Sequence, residues 1–253
     1  MLKRIAGLLV VVLAVVAVPI AFSQMESAQP VYTYVSQFQV PRANWAQFVE
    51  DNEKTFVSIA EKFMADGTLV GWSTFENMVH TPDGYTHGTV WSSNTLAGLN
   101  RVLDELRKGG PRPGQIASTK HQDLLMQSTQ YHASTVTTSS GFLRVVCQMA
   151  KADKPDDYAA ALKKYLWPTF EDQFKKGVAT YYGLDVQYVN NAPPSLRCLV
   201  ITYPNAESMD KWATAINATL GKMSPADREA FFGTTVPDSR RDFMARLTHY
   251  AHK

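Results

Sequence analysis

Residues 31–40 alternate around Tyr32, Tyr34 and Phe38, the period-two pattern of a strand with one buried face. Trp45, Phe48, Val49, Phe56, Ile59 and Phe63 then recur at helical spacing, and Gly67 supplies a natural helix stop. Alternation returns over residues 68–79 and 85–92, predicting two strands separated by the turn-forming run Thr81-Pro82-Asp83-Gly84. Leu96, Leu99, Val102, Leu103 and Leu106 mark a second helix, closed by Gly109-Gly110. A Pro/Gly-rich loop at 109–114, a short helix ending at residue 125 and a fourth strand over 129–136 complete the series.

The same order then repeats. Residues 142–149 read as a strand, and Pro155 suits the first turn of a helix carrying Tyr158, Leu162, Tyr165, Phe170 and Phe174, which Pro168 should kink. Strands predicted at 179–189 and 196–203 flank Asn190-Asn191-Ala192-Pro193-Pro194, and Asn205 caps a helix with Met209, Trp212, Ala213 and Ile216 inward. An extra helical segment begins at Ser224-Pro225-Ala226-Asp227, and residues 247–252 form the closing strand. Gly67 matches Gly177, and Asn94 matches Asn205. Asp123-Leu124-Leu125, Thr129 and Tyr131 are echoed by Asp242-Phe243-Met244, Thr248 and Tyr250. A period this long is one domain duplicated in tandem, not a solenoid of short repeats. The short polar link 137–140 sets the boundary between repeats over 31–137 and 141–253.

Each repeat is therefore β-α-β-β-α-β, the ferredoxin-like unit of the α+β class. Its two helices cover one sheet face and leave the other bare, and a bare apolar face must be buried. The expected solution is that the two antiparallel sheets pack face to face and build one barrel within the chain. In element order and internal repeat, across nearly all of residues 31–253, the sequence resembles the dimeric α/β-barrel superfamily in its fused two-repeat form. That superfamily includes cofactor-free monooxygenases, haem-degrading enzymes, haem peroxidases, chlorite dismutases and many small proteins without known activity. The resemblance implies the fold and leaves the activity open.

Residues 1–23 carry the marks of an export signal: Lys3 and Arg4, an apolar stretch from Ile5 to Val18, and Ala21-Phe22-Ser23 before a flexible segment at 24–30. A mature protein in the periplasm or outside the cell is the expectation. Without Lys3 and Arg4 the formal charge falls from +2 to zero, which gives no electrostatic case for a nucleic acid or anionic membrane as partner. Hydrophobic content of 45% is ample for a buried core. Cys147 and Cys198 both lie in strand-like runs, and either a disulfide or two buried thiols fits them.

Candidate chemistry concentrates on the first hairpin. With a four-residue turn at 81–84, His80 pairs with Tyr85, Met78 with His87, Glu76 with Thr89 and Thr74 with Trp91. Strand parity then places Trp72, Glu76, His80, Tyr85, His87 and Trp91 on one face. Three readings fit: Glu76 and His87 as an acid/base pair in a ligand pocket walled by Trp72, Tyr85 and Trp91; His80, His87 and Glu76 around a divalent metal; or ordinary barrel filling. The matching positions of the second half, Tyr182, Val186, Arg197 and Ile201, carry one charge, and Arg197 could steer an acidic ligand. A haem would need one of His87, His121, His132, His249 or His252 facing an open apolar cavity, and no haem-ligand motif matches. No nucleophile elbow, phosphate loop or dinucleotide fingerprint occurs, so no cofactor is expected. The leading expectation is a small, partly apolar molecule bound in the barrel. A monooxygenase-like or metal-assisted enzyme is the rival, and an oligomerisation module the third class.

Overall fold

In the computed structural model, which describes residues 29–253 except 139, 155 and 191–194, Gly67 and Gly177 take φ of +77° and +71°. This left-handed conformation favours glycine and turns each half from its first helical stretch into the following strand. The first half runs β1 (Val31–Gln39), α1 (Trp45–Ala65), β2 (Gly71–Asn77), β3 (His87–Ser93), α2 (Leu96–Lys108), α3 (Pro113–Ile116) and β4 (Lys120–Ala133). After a short β5 (Val136–Thr138), the second half runs β6 (Phe142–Met149), α4 (Asp157–Tyr165), α5 (Trp167–Lys175), β7 (Tyr181–Gln187), β8 (Leu196–Tyr203), α6 (Ala206–Lys222), α7 (Pro225–Phe232) and β9 (Arg241–His252). The predicted signal at 1–23 lies outside the described residues, as does Pro155. No helix among the described residues is long and apolar enough to cross a membrane.

Strand order within each half is the same, β2-β3-β1-β4 and β7-β8-β6-β9. The halves join edge to edge through antiparallel β4–β7 and β2–β9 ladders, so eight strands close into one barrel and the bare faces meet inside it. The remaining strand, β5, pairs only with β9 at the rim. The helices pack outside. Phe48, Asn52, Phe56, Ala60 and Phe63 form the buried stripe of α1 at steps of three and four residues. Thr95 and Asn205 cap α2 and α6 by accepting hydrogen bonds from the Gly98 and Ser208 amides. The helix expected to kink at Pro168 is broken there into α4 and α5, with Leu166 between them.

Three expectations need correction. The fourth strand of each half starts far earlier than the pattern suggests, at Lys120 and Arg241. Leu124 and Leu125 suit a helix locally, but residues 120–128 find a complete ladder along β1, and that long-range pairing overrides local spacing. The link 137–140 is partly drawn into β5. In the first hairpin Glu76 pairs with His87, Thr74 with Thr89 and Trp72 with Trp91. The register is thus two residues from that predicted, because the connecting loop is longer than four residues. An even shift leaves every strand side chain on its expected face.

Inside the barrel Gly88 on β3 has no room for a side chain. A Cβ there would lie 2.3 Å from Phe75 Cζ and 2.6 Å from the Ser36 carbonyl oxygen. Gly88→Ala is therefore expected to lower unfolding free energy by about 1–3 kcal/mol, the usual cost of overpacking. Urea denaturation of the variant against the parent protein measures it.

Candidate functional site

Trp72, Glu76, His87 and Trp91 share one face, and that face looks outward to the helices rather than into the barrel. Trp91 is 1% exposed, edge-on to Phe56 of α1 and stacked at 5.9 Å on Trp72, which also stacks on His249. His87 is buried beside Trp45 and Phe48, with Nδ1 2.9 Å from Thr86 Oγ1 and Nε2 without a partner. Burial, and then nearby His80, push its pKa down to about 4, so the ring is neutral at ordinary pH. Glu76 faces His87 in register, but neither imidazole nitrogen bonds it, so the acid/base pair is not assembled. His80 instead packs on Trp45 at 4.8 Å. Among the described residues no group of three or more His, Cys, Asp or Glu is arranged to hold a metal. Arg197 faces Val186 and donates to the neighbouring Leu196 carbonyl.

The opposite face of the same strands encloses a cavity of about 650 Å³ along the barrel axis. Val35, Phe75, Val90, Leu124, Val145, Val200 and Phe243 contribute apolar wall, and Trp72 and Tyr85 border it, whereas Trp91 and Arg197 do not. Cys147 and Cys198, register partners on β6 and β8, are joined as a disulfide that also lines it. At one end lie exposed Asp83, Lys120 and Arg241, the Lys120 ammonium 4.9 Å over the Tyr85 ring. The other end is lined by buried polar side chains, among them Ser92, Thr202, Tyr250 and His252, while Asp185 stands in the wall in register with Cys198. Ser128 hydrogen-bonds Asp185, and burial raises the Asp185 carboxyl to about 6 despite that bond.

A second cavity, of about 390 Å³, lies between the outer face of β1, β3 and β4 and the helices α1 and α2. Trp91, Phe56, Leu103 and Leu106 form its apolar side, and Tyr34, Ser36, His121 and Asp123 its polar side. Asp123 accepts from Ser36 Oγ at 2.6 Å and lies 2.9 Å from His121 Nε2. His121 stacks on Phe38 at 4.6 Å, which fixes the imidazole plane. Burial, and then the adjacent Asp123 carboxylate, push the Tyr34 phenol up to about 12. In the second half, β6 and β9 place Arg144 and Val146 where β1 has Tyr34 and Ser36, and Asp242 where β4 has Asp123. Asp242 is bound by Arg144 at 3.3 Å and by Arg240, the counterpart of His121. On the outer face of that half Trp167, Phe170, Tyr182 and Trp212 pack on one another, each no more than 3% exposed.

Parity along the first hairpin does not reach this cluster, because its residues lie on β1 and β4, and a helix expected through residue 125 separates them. The signal was present nonetheless. The two Asp-apolar-apolar echoes invite comparison of their flanks, and the exchange of Tyr34 and His121 for arginines stands out in that comparison.

The two buried titratable groups pull stability in opposite directions with pH. The Asp185 carboxyl ionises in the unfolded chain near its ordinary 3.8 but in the folded protein only near 6. Native protein therefore holds a proton in that window that unfolded chain has released, and stability falls as pH rises through it by on the order of 2–3 kcal/mol. For His87, lowered from 6.5 to about 4, stability instead falls as pH drops through that range. Asp185→Asn, which keeps an acceptor for Ser128, is expected to gain on the parent protein at about pH 7.5 and not at about pH 4. Urea midpoints at the two pH values test the sign.

No family model and no curated protein sequence matches the chain. Similar solved structures include a proposed monooxygenase from Lactobacillus acidophilus, with 13% identity over 88% of this chain and 96% of that one at a TM-score of 0.60. A second proposed monooxygenase, from Fusobacterium nucleatum, has 11% identity over 88% and 94% at 0.58. An anthrone oxidase-like protein has 7% identity over 88% and 93% at 0.56. At such identities the likeness is one of fold: the closed barrel of tandem ferredoxin-like halves described above has the dimeric α/β-barrel fold.

Proposed function

We propose that the chain binds a small, partly apolar molecule inside the barrel. The observation that carries this reading is the 650 Å³ cavity along the axis, a size typical of small-molecule sites. Apolar walls supply affinity through area removed from water, roughly 25 cal/mol per Å² before the costs of association. The fewer polar groups fix orientation rather than strength. A neutral, environment-sensitive naphthyl ketone dye is the direct probe. Its emission is expected to shift to the blue and saturate with parent protein, and Val145→Trp or Val200→Trp, which fill the lumen from the neighbouring strands β6 and β8, should abolish the shift. Saturable binding that both substitutions leave intact would place the dye elsewhere and sink the reading.

A second reading is favoured by the contrast between Asp123 and Asp242. A carboxylate held by a serine, a tyrosine and an imidazole can orient that imidazole as a general base, whereas one clamped by two arginines cannot serve the same purpose. In the outer cavity His121 would take a proton from a phenol or an activated methylene, and the resulting electron-rich anion can reduce dioxygen without help from a metal. Monooxygenase-like and anthrone oxidase-like chemistry, named for the similar structures, is of this kind. Oxygen uptake with anthrone as trial substrate is expected to exceed the buffer rate and to fall about a hundredfold in His121→Ala and Asp123→Asn, the scale of a lost general base. Uptake equal to buffer, or unchanged in both variants, argues against it.

A further inference from the structure

The disulfide is a reactive bond set in the wall of the lumen. Register partners run in one row from Ser128 of β4 through Asp185 of β7, Cys198 of β8 and Cys147 of β6 to Arg241 of β9, and all but Ser128 line the cavity. Side chains opposed in this way on one sheet face have Cβ atoms about 4.5–5.5 Å apart, within reach of one another. The two sulfurs are not equivalent. Cys198 is buried and stands between Cys147 and buried Asp185, whereas Cys147 is half-buried and stands beside exposed Arg241 at the open end. Ser128 holds Asp185 through Oδ1, and burial raises that carboxyl to about 6. Lys120 joins Arg241 at the mouth against the one carboxylate of Asp83, so an approaching anion meets a net positive rim.

Opening a disulfide takes a thiolate, access to one sulfur, and stabilisation of the sulfur that leaves. The row supplies access at Cys147 and a proton source beside Cys198. Resting on the reading that the lumen takes up a small molecule, we propose that this molecule is an apolar thiol and that the lumen disulfide captures it on Cys147. The thiolate bonds to Cys147 Sγ, the Cys147–Cys198 bond breaks, and its electron pair leaves on Cys198 Sγ, which takes the proton of the Asp185 carboxyl. A second thiolate then attacks the captured sulfur and releases the two substrate molecules as a disulfide. Two electrons stay on the protein, with Cys147 as a thiolate beside Arg241 and Cys198 as a thiol. The apolar wall selects among thiols, because the area removed from water separates an aromatic thiol from a charged peptide thiol.

Two thiols separate capture in the lumen from ordinary reduction: 2-naphthalenethiol and glutathione, each mixed with the oxidised protein, quenched in acid and read by intact mass and peptide mapping. Each rate is divided by that of the same thiol on 2-hydroxyethyl disulfide, so intrinsic nucleophilicity cancels. The normalised rate for 2-naphthalenethiol is expected to saturate and to exceed that for glutathione about a hundredfold, the scale of one buried aromatic group, with the naphthyl group on Cys147. Naphthalene, the ring without the sulfur, should inhibit competitively, and Val90→Trp, which fills the lumen from β3 away from the disulfide, should erase the advantage. Asp185→Asn should slow opening about a hundredfold at about pH 5.5 and not at about pH 7.5. Tyr181, Tyr250, His252, Lys120, Arg241, Asp83 and Tyr85 also face the lumen, and comparison of variant with parent at each pH cancels them. Equal normalised rates for the two thiols, a naphthyl group on Cys198, or two free thiols that air does not close would overturn the inference. If one of these is found while the ketone dye still binds and Val145→Trp abolishes its shift, lumen binding stands and only the thiol assignment falls. If the dye fails as well, both readings fall together.

Discussion

Everything in this molecule depends on the absence of a free strand edge in the barrel wall. A ferredoxin-like sheet alone has two edges whose amides and carbonyls need partners, and one apolar face that needs cover. Both needs are met by the same pair of ladders, β4–β7 and β2–β9. Once the edges pair, curvature follows, the apolar faces turn inward, and the helices are left outside. The β-bulges in these two joining ladders, at Ser128/Gln130 and opposite Thr74/Phe75, let the strands bend where one half becomes the other. At the second of them Thr74 and Thr248 bond through their hydroxyls at 2.6 Å, so the seam keeps a polar link of its own.

Duplication leaves two copies of each position in one chain, and here the copies hold one equivalent carboxylate in different ways. Asp242 is neutralised by two arginines, in the half whose outer layer holds the aromatic cluster of Trp167, Phe170, Tyr182 and Trp212. Asp123 has uncharged or weakly basic partners beneath a space bounded by Trp91 and Leu103. One helix-to-sheet layer has become pure core and the other has kept room. A homodimer with one sequence per subunit has no means of making that distinction. The barrel interior differs again, since it is made jointly by both halves and its polar end draws on β3, β7, β8 and β9.

Much of this was legible from residue pattern. The duplicated βαββαβ order, the grouping of the first hairpin's strand residues into two faces and the break near Pro168 all follow from periodicity and turn chemistry. Three things were not. Alternation tells which residues share a face but not which face is covered by helices, and both faces of β2 and β3 carry large apolar groups: Trp72 and Trp91 on one, Phe75 and Val90 on the other. The start of β4 is dictated by β1, some ninety residues earlier, and leaves little local trace in Asp123-Leu124-Leu125. The cavity itself is a property of volumes summed around eight strands, so no window along the chain contains it.

The β2–β9 seam also sets a condition on how the chain reaches this structure. Thr74 waits for Thr248, a partner 174 residues later in sequence, before its strand has a neighbour on that side. During synthesis the first half can assemble its own sheet while the outer edge of β2 and the future lining of the lumen stay open to solvent, with β9 still to come. Closing so large a loop is a slow, entropically costly step, and an open edge beside an apolar face is the surface on which chains mispair. Folding of this barrel is accordingly governed by how long the first half can remain unsealed without finding the wrong strand.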